Sequence, residues 1–189
     1  MSKSLTDSRN LEDIREQFLA EKILPTIWLG DSASRFDDYT KYAQGCETIL
    51  ELGVYTGLTT TAFLLANPKK LISIDHTASN FSIRHQIEYL AEKQGTEFHF
   101  LEMNDLDYES SGQDLLLIDT THFYDQTLKE LERFGGLTRQ RIVLHDCASH
   151  DGVMKAVCDW LFTNKEFYIS LHDNRGDGVC VLQRYPKLQ

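Results

Sequence analysis

The sequence predicts an α/β fold: a seven-stranded, mostly parallel sheet with helices on both faces and an antiparallel hairpin at its C-terminal end. Two observations predict it. After Gly45, short apolar runs alternate with amphipathic stretches of helical period, the pattern of a parallel sheet wrapped by helices. The last two runs are separated by Asn174-Arg175-Gly176-Asp177-Gly178, a cluster of turn formers that joins neighbouring strands as a hairpin.

The elements follow in order. Leu11, Ile14 and Phe18 recur at helical spacing, with Asn10 as N-cap and Pro25 closing this unit. A second helix is expected over Ser34–Gln44, with Gly45 just past its end. Thr48–Leu52 reads as a buried strand. Leu58–Ala66 reads as a helix stopped by Asn67-Pro68. Leu71–Ile74 is the second strand. The spacing of Ile83, Ile87, Leu90 and Ala91 predicts a helix over Phe81–Gln94, capped by Asn80 and ended by Gly95. Phe98–Leu101 and Leu115–Ile118 are strands three and four. Gln126–Phe134 is a helix ended by Gly135-Gly136, with Leu128 and Leu131 inward. Ile142–Leu144 is strand five. Val153–Asn164 is a helix with Val153, Val157, Trp160 and Leu161 inward. Phe167–Leu171 and Val179–Gln183 complete the sheet.

Composition narrows the function classes. The 189 residues suit one domain, organised as an N-terminal helical arm over residues 1–45 and a core over residues 46–189. Asp plus Glu number 29 against 19 Lys plus Arg, a net charge of −10. That balance argues against nucleic acid, which needs a basic stripe, and against anionic lipid. No apolar run approaches a membrane span, and MSKSLTDSRN lacks the apolar core of a signal peptide. Cys46, Cys147, Cys158 and Cys180 form no CxxC or zinc spacing. A cytoplasmic protein with reduced thiols is expected. A 144-residue core leaves no room for a substrate domain. The partner is therefore a small molecule, held by one chain or across the interface of a homodimer.

Ligands of such sheets bind at the carboxyl ends of the strands. Those ends are polar here. Strand one runs into Glu51-Leu52-Gly53-Val54-Tyr55-Thr56-Gly57. Its glycines suit a tight turn and let backbone approach a ligand. The spacing is neither GxGxxG nor a P-loop, and no Lys or Arg lies beside it, so a diphosphate is not favoured. Strand two ends in Asp75, 18 residues after Gly57. A carboxylate there can cap the following turn or accept both hydroxyls of a ribose. Strand four ends in Asp119-Thr120-Thr121-His122 and strand five in His145-Asp146-Cys147. Two Asp and two His on one edge suit a divalent cation or an acid–base pair.

The sequence here resembles the class I S-adenosylmethionine-dependent methyltransferases. Within them it is most similar to the branch of catechol, caffeoyl-coenzyme A and small antibiotic or sugar O-methyltransferases. ILELGVYTGLTT is close to that branch's first motif and LISID to its second. DLLLIDTTHFYDQTLKELERFGGLTRQRIVLHD is similar to its fourth and fifth strands. The resemblance spans residues 49–183 and implies a Rossmann-like methyltransferase fold. It implies that Glu51, Gly53, Tyr55 and Gly57 shape the pocket for the methionine and ribose of the cofactor. It implies that Asp75 holds the ribose, that Asn104 or Asp105 lies near the adenine, and that Asp119 and Asp146 are metal ligands for Mg²⁺ or Mn²⁺. His145 stands where some relatives carry an acidic ligand, and His122 where the branch has its catalytic Lys. The sequence departs at Thr121, where a second Asp is usual, and at Cys147, where Asn completes the metal site.

The resemblance implies methyl transfer from S-adenosylmethionine to a hydroxyl of a small molecule. Asp119 with Asp146 and His145 would hold the cation. His122 or His145 would take the proton, a neutral imidazole being available near pH 7. Two alternatives stay open. One is a non-catalytic protein that keeps the fold and pocket, motivated by Thr121 and Cys147. The other is a different nucleotide-binding α/β enzyme, such as a dehydrogenase, which the missing GxGxxG disfavours. Phe18, Trp28, Phe36, Tyr39, Tyr124, His150 and Trp160 are candidates either for the core or for contact with the acceptor.

Overall fold

A computed structural model describes residues 9–20 and 32–186. Pro25 and Trp28 lie outside the described residues. Seven strands form one sheet: β1 Thr48–Leu52, β2 Lys70–Asp75, β3 Glu97–Glu102, β4 Gln113–Ile118, β5 Thr138–His145, β6 Phe167–Asp173 and β7 Val179–Arg184. Their order is β3-β2-β1-β4-β5-β7-β6. β1 to β5 pair in parallel, whereas β7 pairs antiparallel with both β5 and β6. The helices are α1 Leu11–Ala20, α2 Phe36–Ala43, α3 Leu58–Leu65, α4 Arg84–Gln94, α5 Tyr124–Phe134 and α6 Asp151–Thr163.

The central strands show why the sheet is covered on both sides. Side chains alternate between the faces of a strand. Leu115 and Leu117 of β4 enter one apolar cluster with α1 to α4, while Leu116 and Ile118 enter a second with α5 and α6. Val143 of β5 joins the first cluster, and Ile142 and Leu144 the second. The residues of both clusters are buried, so each face of the sheet is stabilised by apolar burial at about 25 cal/mol per Å².

Most elements lie where periodicity places them. Asn10 caps α1, its Oδ1 accepting the Asp13 N–H at 2.8 Å. α4 is the exception. It begins at Arg84 rather than Phe81, and Asn80 is not its cap. Residues 78–84 instead form successive turns, in which the Phe81 N–H donates to Ala78 O and the Arg84 N–H to Phe81 O. Phe81 and Ile83 are buried all the same, so the apolar pattern was correct while the backbone around it was not helical. β1 keeps its expected bounds, and the other six strands extend one to four residues beyond an end of the apolar runs, because polar ends such as Gln113 and Thr138 also pair. In α5, Leu131 is buried but Leu128 only partly, and Thr127 and Glu130 take the inward positions.

The strand order reverses at β1, which has β2 on one side and β4 on the other. The crevice outside the carboxyl ends of β1 and β4 is the ligand position of such sheets.

Candidate active site

A cavity of about 680 Å³ opens at that crevice, within the ~300–1,000 Å³ range of small-molecule sites. It is lined by the turn after β1, by Ile74, Asp75, Met103, Asn104 and Asp105, and by a charged group of Asp119, His122, His145, Asp146 and His150.

The turn after β1 is held by its neighbours. The Gly53 N–H donates to Ile74 O at 2.9 Å. Asp75 Oδ2 accepts from Val54 N–H at 2.9 Å and Tyr55 N–H at 3.0 Å, and its Oδ1 from Thr77 N–H at 3.2 Å. Asp75 thus fastens the turn to β2 and still presents lone pairs to the cavity. Gly53, at φ +88°, is required for a reason other than ligand approach: a Cβ there would fall 1.8 Å from the Asp119 carbonyl oxygen. Gly57 starts α3 at φ +86° and does not line the cavity.

Glu51 does not reach the cavity either. It is fully buried beneath the turn, where it accepts hydrogen bonds from Thr59, Thr60 and Ser73 hydroxyls. Burial pushes its carboxyl up to about 7 despite those three donors. The structure gives Glu51 the task of tying β1 and β2 to the first turn of α3. Asn104 and Asp105 do line the cavity. Asn104 caps a short turn through the Leu106 N–H, and Asp105 accepts from Gln126 Nε2 at 3.2 Å.

The charged end is a network of four side chains. His122 Nε2 lies 2.9 Å from Asp146 Oδ2 and 3.3 Å from Asp119 Oδ1. His145 Nδ1 lies 2.9 Å from the same Asp146 oxygen and 3.5 Å from the same Asp119 oxygen. Burial alone would raise both carboxyls, but the two imidazoles outweigh it and hold Asp119 and Asp146 below the usual carboxylate range. Burial likewise opposes charge on the imidazoles, and the carboxylates outweigh it, holding His122 up at about 9 and His145 higher still. Each imidazole therefore keeps its proton at neutral pH in this arrangement, where the sequence led us to expect a neutral one.

The network extends further than the sequence reading placed it. His150 lines the cavity, its Nδ1 3.6 Å from Asp146 Oδ1, and its ring centroid lies 4.8 Å from that of His122. The signal was the spacing His145-Asp146-x-x-x-His150. Asp146 sits at φ +60°, and the turn that follows closes with His150 N–H donating to Asp146 O at 3.0 Å. Of the other acceptor-contact candidates, Phe18, Phe36, Tyr39 and Trp160 are core residues, and Tyr124 bonds Asp159 away from the cavity. Cys147 is buried, its Sγ 3.3 Å from Leu144 O, and does not face the cavity.

No protein-family profile matches the sequence, and no curated protein matches it. Solved structures do. An O-methyltransferase from Bacillus cereus in complex with S-adenosylhomocysteine superposes at TM-score 0.64, with 17% identity over 97% of this chain and 92% of that one. The O-methyltransferase TomG from Streptomyces achromogenes, involved in tomaymycin synthesis and bound to S-adenosylmethionine, gives 0.64, 16%, 96% and 92%. The chain has the class I methyltransferase fold. A third example of the methyltransferase fold, the Podospora anserina protein PaMTH1 bound to S-adenosylhomocysteine, gives 0.59 with 13% identity over 96% and 92%. In all three the similarity covers nearly the whole of both chains, arm included.

Proposed function

We propose that this chain transfers a methyl group from S-adenosylmethionine to a hydroxyl of a small molecule. The observation that carries this reading is the composition of the cavity at the switch point. Five Asp line it (Asp75, Asp105, Asp119, Asp146 and Asp177), and no Lys or Arg does among the described residues. That lining suits a ligand with positive sulfonium and ammonium groups and opposes a diphosphate, so it also weighs against a dinucleotide enzyme. Ile74 and Met103 beside the amides of Asn104 and Gln126 offer apolar faces and polar edges to a planar base.

When bound, S-adenosylmethionine supplies an already activated methyl group. The protein's task is then to align and to handle a proton. Asp75 and the 53–56 turn fix one end of the cavity, and the Asp119–Asp146 pair fixes the other. In-line placement of acceptor and donor between them is worth up to about 7–11 kcal/mol. His122 Nε2 faces both carboxylates and acts as the acceptor's base only in its deprotonated form, which Asp119 and Asp146 disfavour by stabilising the imidazolium. Asp119 Oδ1, Asp146 Oδ2 and His145 Nδ1 lie within 4.8 Å of one another, a donor set that fits a divalent cation. Such a cation, when bound there, would lower the pKa of a coordinated hydroxyl.

Calorimetry with S-adenosylmethionine and S-adenosylhomocysteine tests the reading. Both are expected to bind, and Asp75→Ala to bind at least about 10-fold more weakly, as for loss of a charged hydrogen-bond partner. Transfer to a panel of catechols and sugars should follow, and should be lost in Asp119→Ala. Absence of binding by either ligand overturns the reading. Binding without transfer to any acceptor favours a non-catalytic protein that keeps the pocket.

A further inference from the structure

The donor chemistry of the charged end goes beyond a generic cation site. The Asp119–His145–Asp146 group offers two carboxylates and one imidazole. The residue after Asp146 is Cys147, whose thiol is turned into the core toward Leu144 O and adds no donor. A second group, His122–Asp146–His150, shares Asp146 and keeps its ligand atoms within 4.8 Å. The two oxygens of Asp146 face opposite ways: Oδ2 meets His122 and His145, and Oδ1 meets Ser149 Oγ at 2.9 Å and His150 Nδ1 at 3.6 Å. His145 is 5% exposed at the floor, and His150 is 49% exposed at the rim. Imidazoles thus approach Asp146 from both sides of the cavity end.

We propose that this centre takes a borderline transition-metal dication, of the Zn²⁺, Co²⁺ or Ni²⁺ class, in preference to Mg²⁺, and that His150 is one of its ligands. The proposal rests on the reading of the cavity as a methyl-transfer site and deepens it. Mg²⁺ demands near-octahedral oxygen donors and gives up its water reluctantly. Nitrogen donors favour the later first-row ions, in the order that rises from Mn²⁺ to Cu²⁺. Each group sets at least one imidazole beside its carboxylates, and the His122–Asp146–His150 group sets two beside one carboxylate, which matches the second class. His150 is the donor least constrained by packing, because it stands at the start of α6 with half its side chain in solvent. It is therefore the ligand that can close on an ion after entry, while His145 is fixed beneath.

The test uses the full chain, freed of metal with a chelator and titrated with Co²⁺ while its visible d–d absorption is followed. Saturable development of the band is expected, with removal by stoichiometric Zn²⁺ and persistence in a large excess of Mg²⁺. His150→Ala should keep the circular dichroism of the parent and weaken Co²⁺ binding by about 10-fold or more, a typical cost of removing a group that supports a metal. Asp146→Asn should abolish the band. Displacement of Co²⁺ by Mg²⁺ as readily as by Zn²⁺, or unchanged affinity in His150→Ala, overturns the proposal. So does failure of any of these ions to bind. Calorimetry with S-adenosylhomocysteine on the same metal-free samples separates the outcomes: binding of that ligand with no cation selectivity overturns the metal proposal alone, and its failure to bind overturns the reading beneath it.

Discussion

Gly53 and Glu130 show how single residues around the cavity are constrained. A Cβ at Gly53 would overlap the Asp119 carbonyl oxygen at 1.8 Å, and its φ of +88° disfavours any L side chain. Gly53→Ala should therefore destabilise the fold by about 2–4 kcal/mol, combining backbone strain and overpacking, as read by urea denaturation. Glu130 is fully buried, where its Oε1 accepts from Thr120 Oγ1 at 2.7 Å and Gln126 Nε2 at 2.9 Å. Burial, with the Asp105 carboxyl beside it, pushes Glu130 up to about 8 from an ordinary 4.5. The folded chain thus holds a proton that the unfolded chain releases near pH 4.5. Stability from this group is present below that value and is lost as pH rises towards about 8. Glu130→Gln keeps a donor toward Asp105 without titrating. Between about pH 5 and pH 8.5 the parent should lose about 1–3 kcal/mol more stability than the variant; parallel, equal losses in thermal melts would contradict this.

Elements explain how the site was legible in the sequence and where legibility stopped. Asp75, Asp119 and Asp146 were readable because a parallel sheet sends every strand end to the same edge. TILEL, LISID and DLLLID each end in that edge within a residue or two of the expected place. Glu51 was not readable in the same way. Its position in β1 directs it to the α3 face, and the hydroxyls that receive it come from Thr59, Thr60 and Ser73, a partnership that only folding creates. The three-residue delay of α4 has the same origin: Phe81 packs against Phe100, ring centroids 5.3 Å apart, and turns rather than helix bring it there. The sequence offers His150 only as a core or acceptor-contact candidate, because one turn, not a repeating element, returns it to Asp146. Element-level logic makes one prediction about α3. Thr60→Val keeps shape but removes a hydroxyl from buried Glu51, and should cost about 1–3 kcal/mol in chemical denaturation. A neutral result would mean that Glu51 does not anchor the helix.

At the scale of the whole molecule, the N-terminal arm is not an appendage. Leu11, Ile14 and Phe18 of α1 and Phe36, Tyr39 and Ala43 of α2 join the same apolar cluster as α3, α4, Leu115 and Val143. None of the described arm residues lines the cavity. Buried Arg35 also pairs with Asp173 at 3.1 Å, joining the arm to the end of β6. Phe18 is 1% exposed, so Phe18→Ala should cost about 3–5 kcal/mol and unfold arm and core in one transition. Two separate melting transitions would instead show that the arm is an independent cover.

Among the described residues, three of the four non-glycine residues with left-handed backbone, Tyr55, His122 and Asp146, line the cavity. Tyr is poorly suited to that conformation, which costs an L-residue roughly 1–2 kcal/mol. The rim of the cavity is thus where this fold gives up stability, and where substitutions chosen for hardiness alone would reshape the cavity. Tyr55→Gly should raise the melting temperature, by relief of about 0.5–1 kcal/mol of strain, while loosening the turn at the cavity rim.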